Sequence, residues 1–206
     1  MKVWGLKVLD SECLVEIGGG EGFLAEKLLK SGSKLKCFVE PDAKKMLLAK
    51  RKIDKSVVIH QGFLNDVEVV VSCKEHKELT VVMQDVIEHI PKDELVRFFS
   101  DLRSFGVKLR FIGRTPNLKS PFGLRNSFGD NTHIHRFTDH SLNEFLKDLG
   151  FNEILIRSEP FEITGVVSFI RFFPYQLIMA LYSLSLLAVF GQRETGVTPN
   201  IVFDAK

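Results

Sequence analysis

Residues 14–22 read Leu-Val-Glu-Ile-Gly-Gly-Gly-Glu-Gly. An apolar run of strand type leads into a cluster of glycines, and an acid stands just ahead of them. Gly18, Gly20 and Gly22 let a backbone bend sharply and come close to a ligand that a Cβ would block, with Gly19 between them. A dinucleotide fingerprint would place its third glycine three residues after Gly20, where Phe23 stands instead. Glu16, two residues before Gly18, would also repel a pyrophosphate. It suits a ligand that carries a positive group.

Further along, Leu-Lys-Cys-Phe-Val ends in Glu40-Pro41, 18 residues after Gly22. An acid at the end of the neighbouring strand can accept hydrogen bonds from both hydroxyls of a ribose. A third apolar stretch leads to His60-Gln61-Gly62-Phe63-Leu64-Asn65-Asp66, and a fourth to Met83-Gln84-Asp85-Val86-Ile87-Glu88-His89-Ile90-Pro91. The second of these follows a strand at the carboxyl edge, where open α/β sheets bind ligands.

The E-x-G-x-G-x-G pattern at 16–22 resembles motif I of class I S-adenosylmethionine-dependent methyltransferases. Asp85-Val86-x-Glu88-His89-x-Pro91 is similar to the fourth motif of small-molecule and lipid-intermediate members. Pro116-Asn117 with Gly129-Asp130-Asn131-Thr132-His133-Ile134-His135-Arg136-Phe137-Thr138 resembles a stretch in methyltransferases from bacterial polysaccharide and lipid-linked gene clusters. Together these matches span nearly the whole chain. They imply S-adenosylmethionine as cofactor, with Gly18, Gly19, Gly20 and Gly22 around its methionine end and Glu16 on its ammonium. Glu40 and Pro41 would meet the ribose, Gly62 and Phe63 the adenine with Asn65 or Asp66 as the polar contact, and Gln84, Asp85 and Val86 the methionine and sulfur region. Glycine and phenylalanine stand where relatives most often carry the adenine-binding acid.

Glu88 and His89 would then face the acceptor. His89 is the first choice of general base, because imidazole titrates near neutrality. His133 and His135 project to one side of an extended segment and would assist it. Asp85, Glu88, His89 and His133 also imitate the metal set of relatives with an E-x-x-E-H motif. The shorter acid and the place of Asp85 beside the cofactor weigh against that, so no metal is expected. His60, His76 and His140 have no companions and read as structural or exposed.

Periodicity gives strands at about 13–18, 35–40, 56–61, 79–84, 107–113, 152–158 and 199–204, with helices near 22–31, 42–51, 91–104 and 138–149. The resemblance supplies their order: a Rossmann-like α/β sheet, 3-2-1-4-5-7-6, the last strand antiparallel and helices on both faces. Motif I begins almost at once, leaving no room for N-terminal helices or a lid. The substrate cover must come from 114–137, read as an irregular loop, or from 163–191, an apolar insertion before the last strand. No charged residue lies between Phe172 and Phe190, but a true membrane span would strand the final strand on the wrong side of the bilayer. Pro174 and the serines at 183 and 185 suggest two helices there. A substrate cap, a homodimer face or a peripheral membrane contact through 163–191 all remain open.

At 206 residues the chain reads as one domain, able to bury roughly 70% of its unfolded surface. A net charge of +2 without a basic block argues against nucleic acid. Cys13, Cys37 and Cys73 follow no metal spacing and suit a reducing cytosol, and the peripheral contact left open for 163–191 would be with the inner face of the membrane. The expected reaction is O-methylation of a small or lipid-linked acceptor such as a sugar, phenol or quinone. The alternatives are a non-catalytic cofactor-binding or interaction module of the same fold and, against the glycine spacing, a nicotinamide oxidoreductase.

Overall fold

The computed structural model describes residues 2–7, 13–30, 32, 34–64, 77–191 and 196–206. Asn65, Asp66, Cys73 and His76 lie outside the described residues. A two-stranded hairpin, β1 (Lys2–Val3) and β2 (Leu6–Lys7), precedes the main sheet and was not expected. Its turn puts both Trp4 and Gly5 at positive φ, the geometry that two-residue hairpins favour.

The main sheet contains β3 (Cys13–Ile17), β4 (Lys34–Val39), β5 (Val58–His60), β6 (Glu78–Gln84), β7 (Lys108–Pro116), β8 (Ile154–Ser158) and β9 (Asn200–Ala205). Its order is β5-β4-β3-β6-β7-β9-β8. Counted from β3, this is 3-2-1-4-5-7-6, and only β9 runs antiparallel to its neighbours. Every residue of β3 is buried, as a central parallel strand requires.

Alternation along the strands divides the core into two layers. Val15, Ile17, Val81, Met83 and Phe111 face α3 (Lys92–Ser104) and α5 (Asp139–Asp148), through Leu95, Phe98, Phe99, Leu142 and Leu146. Leu14, Phe38, Val82 and Ile112 face the hairpin and α1 (Phe23–Lys30), and this layer also holds Ala49 of α2 (Ala43–Ala49). Asp42 caps α2 by accepting from Lys44 N and Lys45 N, and Thr138 caps α5 by accepting from Ser141 N.

Two segments differ from expectation. The stretch 114–137 is not irregular throughout: β7 continues to Pro116 and a helix, α4 (Pro121–Gly129), follows. Pro121 opens that helix at its first position, where the missing N–H costs nothing. A Cβ on Gly123 would lie 2.0 Å from the Asn117 carbonyl oxygen, so tertiary contact rather than propensity fixes this glycine in the helix. The insertion 163–191 forms one helix, α6 (Val166–Phe190), instead of two. Pro174 removes one N–H donor inside it, but leucines and alanines on its C-terminal side carry it on until Gly191 ends it at φ 70°.

Candidate functional site

The chain leaves β3 at Ile17 and bends through Gly18–Gly22 into α1. Gly18 N and Gly19 N donate to Val39 O at 2.8 and 3.3 Å, which ties the bend to the end of β4. The glycines have different tasks. A Cβ on Gly18 would sit 2.4 Å from Val86, and one on Gly19 2.1 Å from the Phe38 ring. On Gly22 it would meet Ala49 at 3.1 Å. Gly20, at φ 57°, has nothing within 4 Å of its missing Cβ, so it alone of the four opens onto free space. The buried Glu40 carboxylate accepts from Gly20 N at 2.7 Å and from Asp42 N at 2.9 Å.

Beside this bend lies a crevice of about 580 Å³. Seven of the expected cofactor residues line it: Gly18, Glu40, Pro41, Gly62, Phe63, Asp85 and Val86, and His89 joins them. Phe63 is 70% exposed and its ring lines the crevice. Sequence reasoning missed Lys45, Ile90, Pro91 and Glu94 in the wall. The latter three sit at the entry to α3, where a Pro followed by acids is a helix-start signal and nothing more.

Glu16 is placed differently from expectation. It is 1% exposed beneath the bend, with Gly19 packed over it, and does not line the crevice. Burial, reinforced by the nearby Glu40 charge, pushes its pKa up to about 8. Gln84 also turns away from the crevice, into a second cavity on the other side of the Asp85–Arg114 pair.

Asp85 has φ 53°, an unusual conformation for a residue with a side chain, and Arg114 holds it there. Arg114 Nε donates to Asp85 Oδ1 at 3.1 Å, its Nη2 donates to Asp85 Oδ2, and its Nη1 donates to Glu159 Oε1 at 2.9 Å. The Asp85 N–H in turn donates to Arg114 O. Arg114 was not foreseen; an arginine near the end of an apolar strand was its only signal.

The histidines separate. His89 and His133 pack with ring centroids 4.5 Å apart. Thr132 Oγ1 lies 2.6 Å from Asp130 Oδ1 and 2.9 Å from His89 Nδ1. With its single proton given to the carboxylate, the threonine oxygen accepts from His89 Nδ1–H, which leaves the Nε2 lone pair available. Burial and the neighbouring His133 hold the His89 pKa below its ordinary value, so the ring is neutral near pH 7. His133 Nδ1 meets Ser127 O at 3.1 Å. His135 instead packs on Phe145, centroids 5.0 Å apart, and does not join the pair. The reason is local: Ile134 N and His135 N both donate to Glu88 O, so the segment is not evenly extended.

Glu88 is 1% exposed, and neither carboxylate oxygen has a hydrogen-bond partner among the described residues. Ligand-type atoms of Glu88, His89 and His133 lie within 4.8 Å of one another. Asp85, the fourth residue of the metal set weighed as an alternative, is committed to Arg114. Burial raises the Glu88 pKa to about 8. Both Glu16 and Glu88 thus bind protons more tightly folded than unfolded, so their stabilisation is complete below about pH 4.5 and disappears as pH rises through about 8. The unfolding free energy from denaturant titrations should therefore fall across that window, by up to about 1.4 kcal/mol per pH unit for each group. Glu88→Gln should flatten the slope; an unchanged slope would show that Glu88 ionises normally.

The second cavity, about 420 Å³, is lined by Gln84, Arg114, Glu159 and Asn200 and by Trp4, Phe23, Phe161 and Tyr175. It adjoins an apolar space of about 380 Å³ beneath α6.

No protein-family model and no curated protein sequence matches this chain. Solved structures do. A SAM-dependent methyltransferase from Archaeoglobus fulgidus superposes with TM-score 0.61 and 18% identity over 95% of this chain and 86% of its own. An S-adenosylmethionine-dependent methyltransferase from Mesorhizobium loti gives 0.57 and 11%, over 96% and 93%. The small RNA methyltransferase HEN1 gives 0.59 and 18%, over 96% of this chain but 23% of its own length. Sheet order, glycine bend and these superpositions agree: the chain has the Rossmann-like fold of the S-adenosylmethionine-dependent methyltransferases.

Proposed function

We propose that the protein is an S-adenosylmethionine-dependent methyltransferase acting on an oxygen of a small or lipid-linked acceptor. The observation that carries this reading is Gly20, open to the solvent side of a bend whose amide is held by Glu40. A crevice of about 580 Å³ is the right size for one nucleoside-bearing ligand. Glu40 would exchange its present amide partners for, or share them with, two ribose hydroxyls. Phe63 supplies an exposed ring for the adenine, and the backbone at Gly18–Gly20 can approach the amino acid end without steric hindrance.

Bound S-adenosylmethionine supplies a methyl group activated by a sulfonium, so the chain's task is alignment and proton removal. Asp85, fixed by Arg114, shapes the floor between the crevice and the second cavity. His89 Nε2 takes the acceptor proton, and the Asp130–Thr132 chain holds its other nitrogen in the required tautomer. The fold hosts acceptors as different as small molecules and RNA, so acceptor class rests on the cavities of this chain alone.

Thermal-shift titration separates this reading from its nicotinamide rival. S-adenosylhomocysteine should raise the melting temperature while NAD leaves it unchanged, and the reverse result would reject the proposal. Transfer of a tritiated methyl group into a cell extract distinguishes an enzyme from a silent binding module.

A further inference from the structure

We infer that α6 lies in the surface of a lipid bilayer and that the space beneath it holds the hydrocarbon part of a membrane-borne amphiphile. Arg171 is the sole charge between Val166 and Phe190, and the most apolar 18-residue window of the helix is 6% buried. One side is tied down along its length: Tyr175 packs on Phe161 with centroids 4.8 Å apart, Met179 is buried, and Tyr182 Oη donates to Lys119 O at 2.9 Å. Val166, Ile170, Phe173, Leu177, Leu181 and Leu184 are all more than half exposed on the other side.

This attachment decides the orientation. A spanning helix would carry Lys119 and the strand edge it follows into the hydrocarbon layer. The strands on either side of α6 pair directly, Ser158 opposite Ile201, so both ends of the helix return to one sheet edge. A second copy of the chain is the other candidate occupant. At 100° per residue those six exposed side chains form a stripe of roughly 80°, and Val167, Phe169 and Val189, also more than half exposed, widen the apolar arc to roughly 200°. A partner helix covers a stripe of about 100°, whereas a bilayer surface covers the whole arc.

The space under the helix links that surface to the sheet edge. Its mostly apolar part, lined by Phe122, Pro174, Ile178 and Met179 and also by Arg171, shares Phe161 and Tyr175 with the polar cavity at Gln84 and Arg114. Such a path fits an amphipathic molecule, hydroxylated head towards the sheet edge and chain beneath α6. The head would then sit across the Asp85–Arg114 pair from His89, so this lipid seat stands whether or not the methyltransferase reading holds.

The test uses vesicles of phosphatidylcholine with phosphatidylglycerol, a dansyl-labelled fatty alcohol, and the wild-type chain beside Leu177→Glu/Leu181→Glu and Ile178→Trp. Wild type should sediment with vesicles, and the double variant about a hundredfold more weakly. Wild type should bind the labelled alcohol saturably, and Ile178→Trp should block it. Wild type remaining in the supernatant overturns the inference, as does a wild-type dimer that the double variant converts to monomers. Alcohol binding that is absent, or indifferent to Ile178→Trp, overturns the channel. Leu177 and Leu181 are exposed, so the thermal shift with S-adenosylhomocysteine should persist in the double variant and certify its fold. A missing shift in wild type would strike the cofactor reading and leave the vesicle result standing.

Discussion

Replacing His89 by alanine should lower methyl-transfer turnover by about 10²–10⁴-fold, the usual contribution of a positioned acid or base. Three features of the site lead to this. His89 lines the crevice, its Nδ1 is engaged by Thr132, and its Nε2 carries a free lone pair. Thr132→Val should give a smaller loss, because it releases the tautomer without removing the ring. Wild-type turnover should rise with pH through a midpoint below 6.5, since burial and His133 both disfavour the charged ring. Steady-state kinetics over pH 5–8 would show this limb, and its survival in His89→Ala would assign it elsewhere. A chelator should leave turnover unchanged. Loss on chelation with recovery on added Mn²⁺ would instead make Glu88, His89 and His133 a cation site.

Gly20→Val should abolish S-adenosylhomocysteine binding, weakening it by at least about a hundredfold, while the protein still folds. No protein atom lies within 4 Å of the new Cβ, so any steric conflict is with the ligand. The residue is at φ 57°, so strain of roughly 1–2 kcal/mol is expected as well. Gly32→Val is the matched control: it has φ 78° and equally open surroundings, but lies in the turn after α1. Calorimetry should find the control's affinity intact despite a similar fall in stability. Equal affinity in both variants would remove the bend from the binding site.

Much of the fold was legible because the signals are local. Apolar runs mark the seven strands of the sheet within a few residues, and Thr138 caps the helix it precedes. The sheet order came from the resemblance carried by Glu16–Gly22 and Asp85–Pro91, and the pairing agrees with it. What sequence could not show depends on partners far along the chain. Arg114 meets Asp85 and Glu159 across 29 and 45 residues, and no spacing rule links them. Helix α4 carries Gly123, Asn126 and Ser127, all poor helix formers, and owes its place to contact with Asn117. His135 was expected beside His133 because side chains alternate on an extended backbone. The two amides bonded to Glu88 O break that alternation and send its ring to Phe145. Glu16 was expected at the ligand, but its side chain is buried beneath the bend and does not line the crevice.

The central claim is that one nucleoside sits over this bend with its ribose on Glu40. A crystal structure of the chain soaked with S-adenosylhomocysteine tests it directly. Both ribose hydroxyls should lie within hydrogen-bond distance of the Glu40 carboxylate, with adenine between Phe63 and Val86 and the sulfur turned towards Asp85. Density for the nucleoside in the cavity at Arg114 and Glu159, or none over Gly20 at saturating ligand, would contradict it.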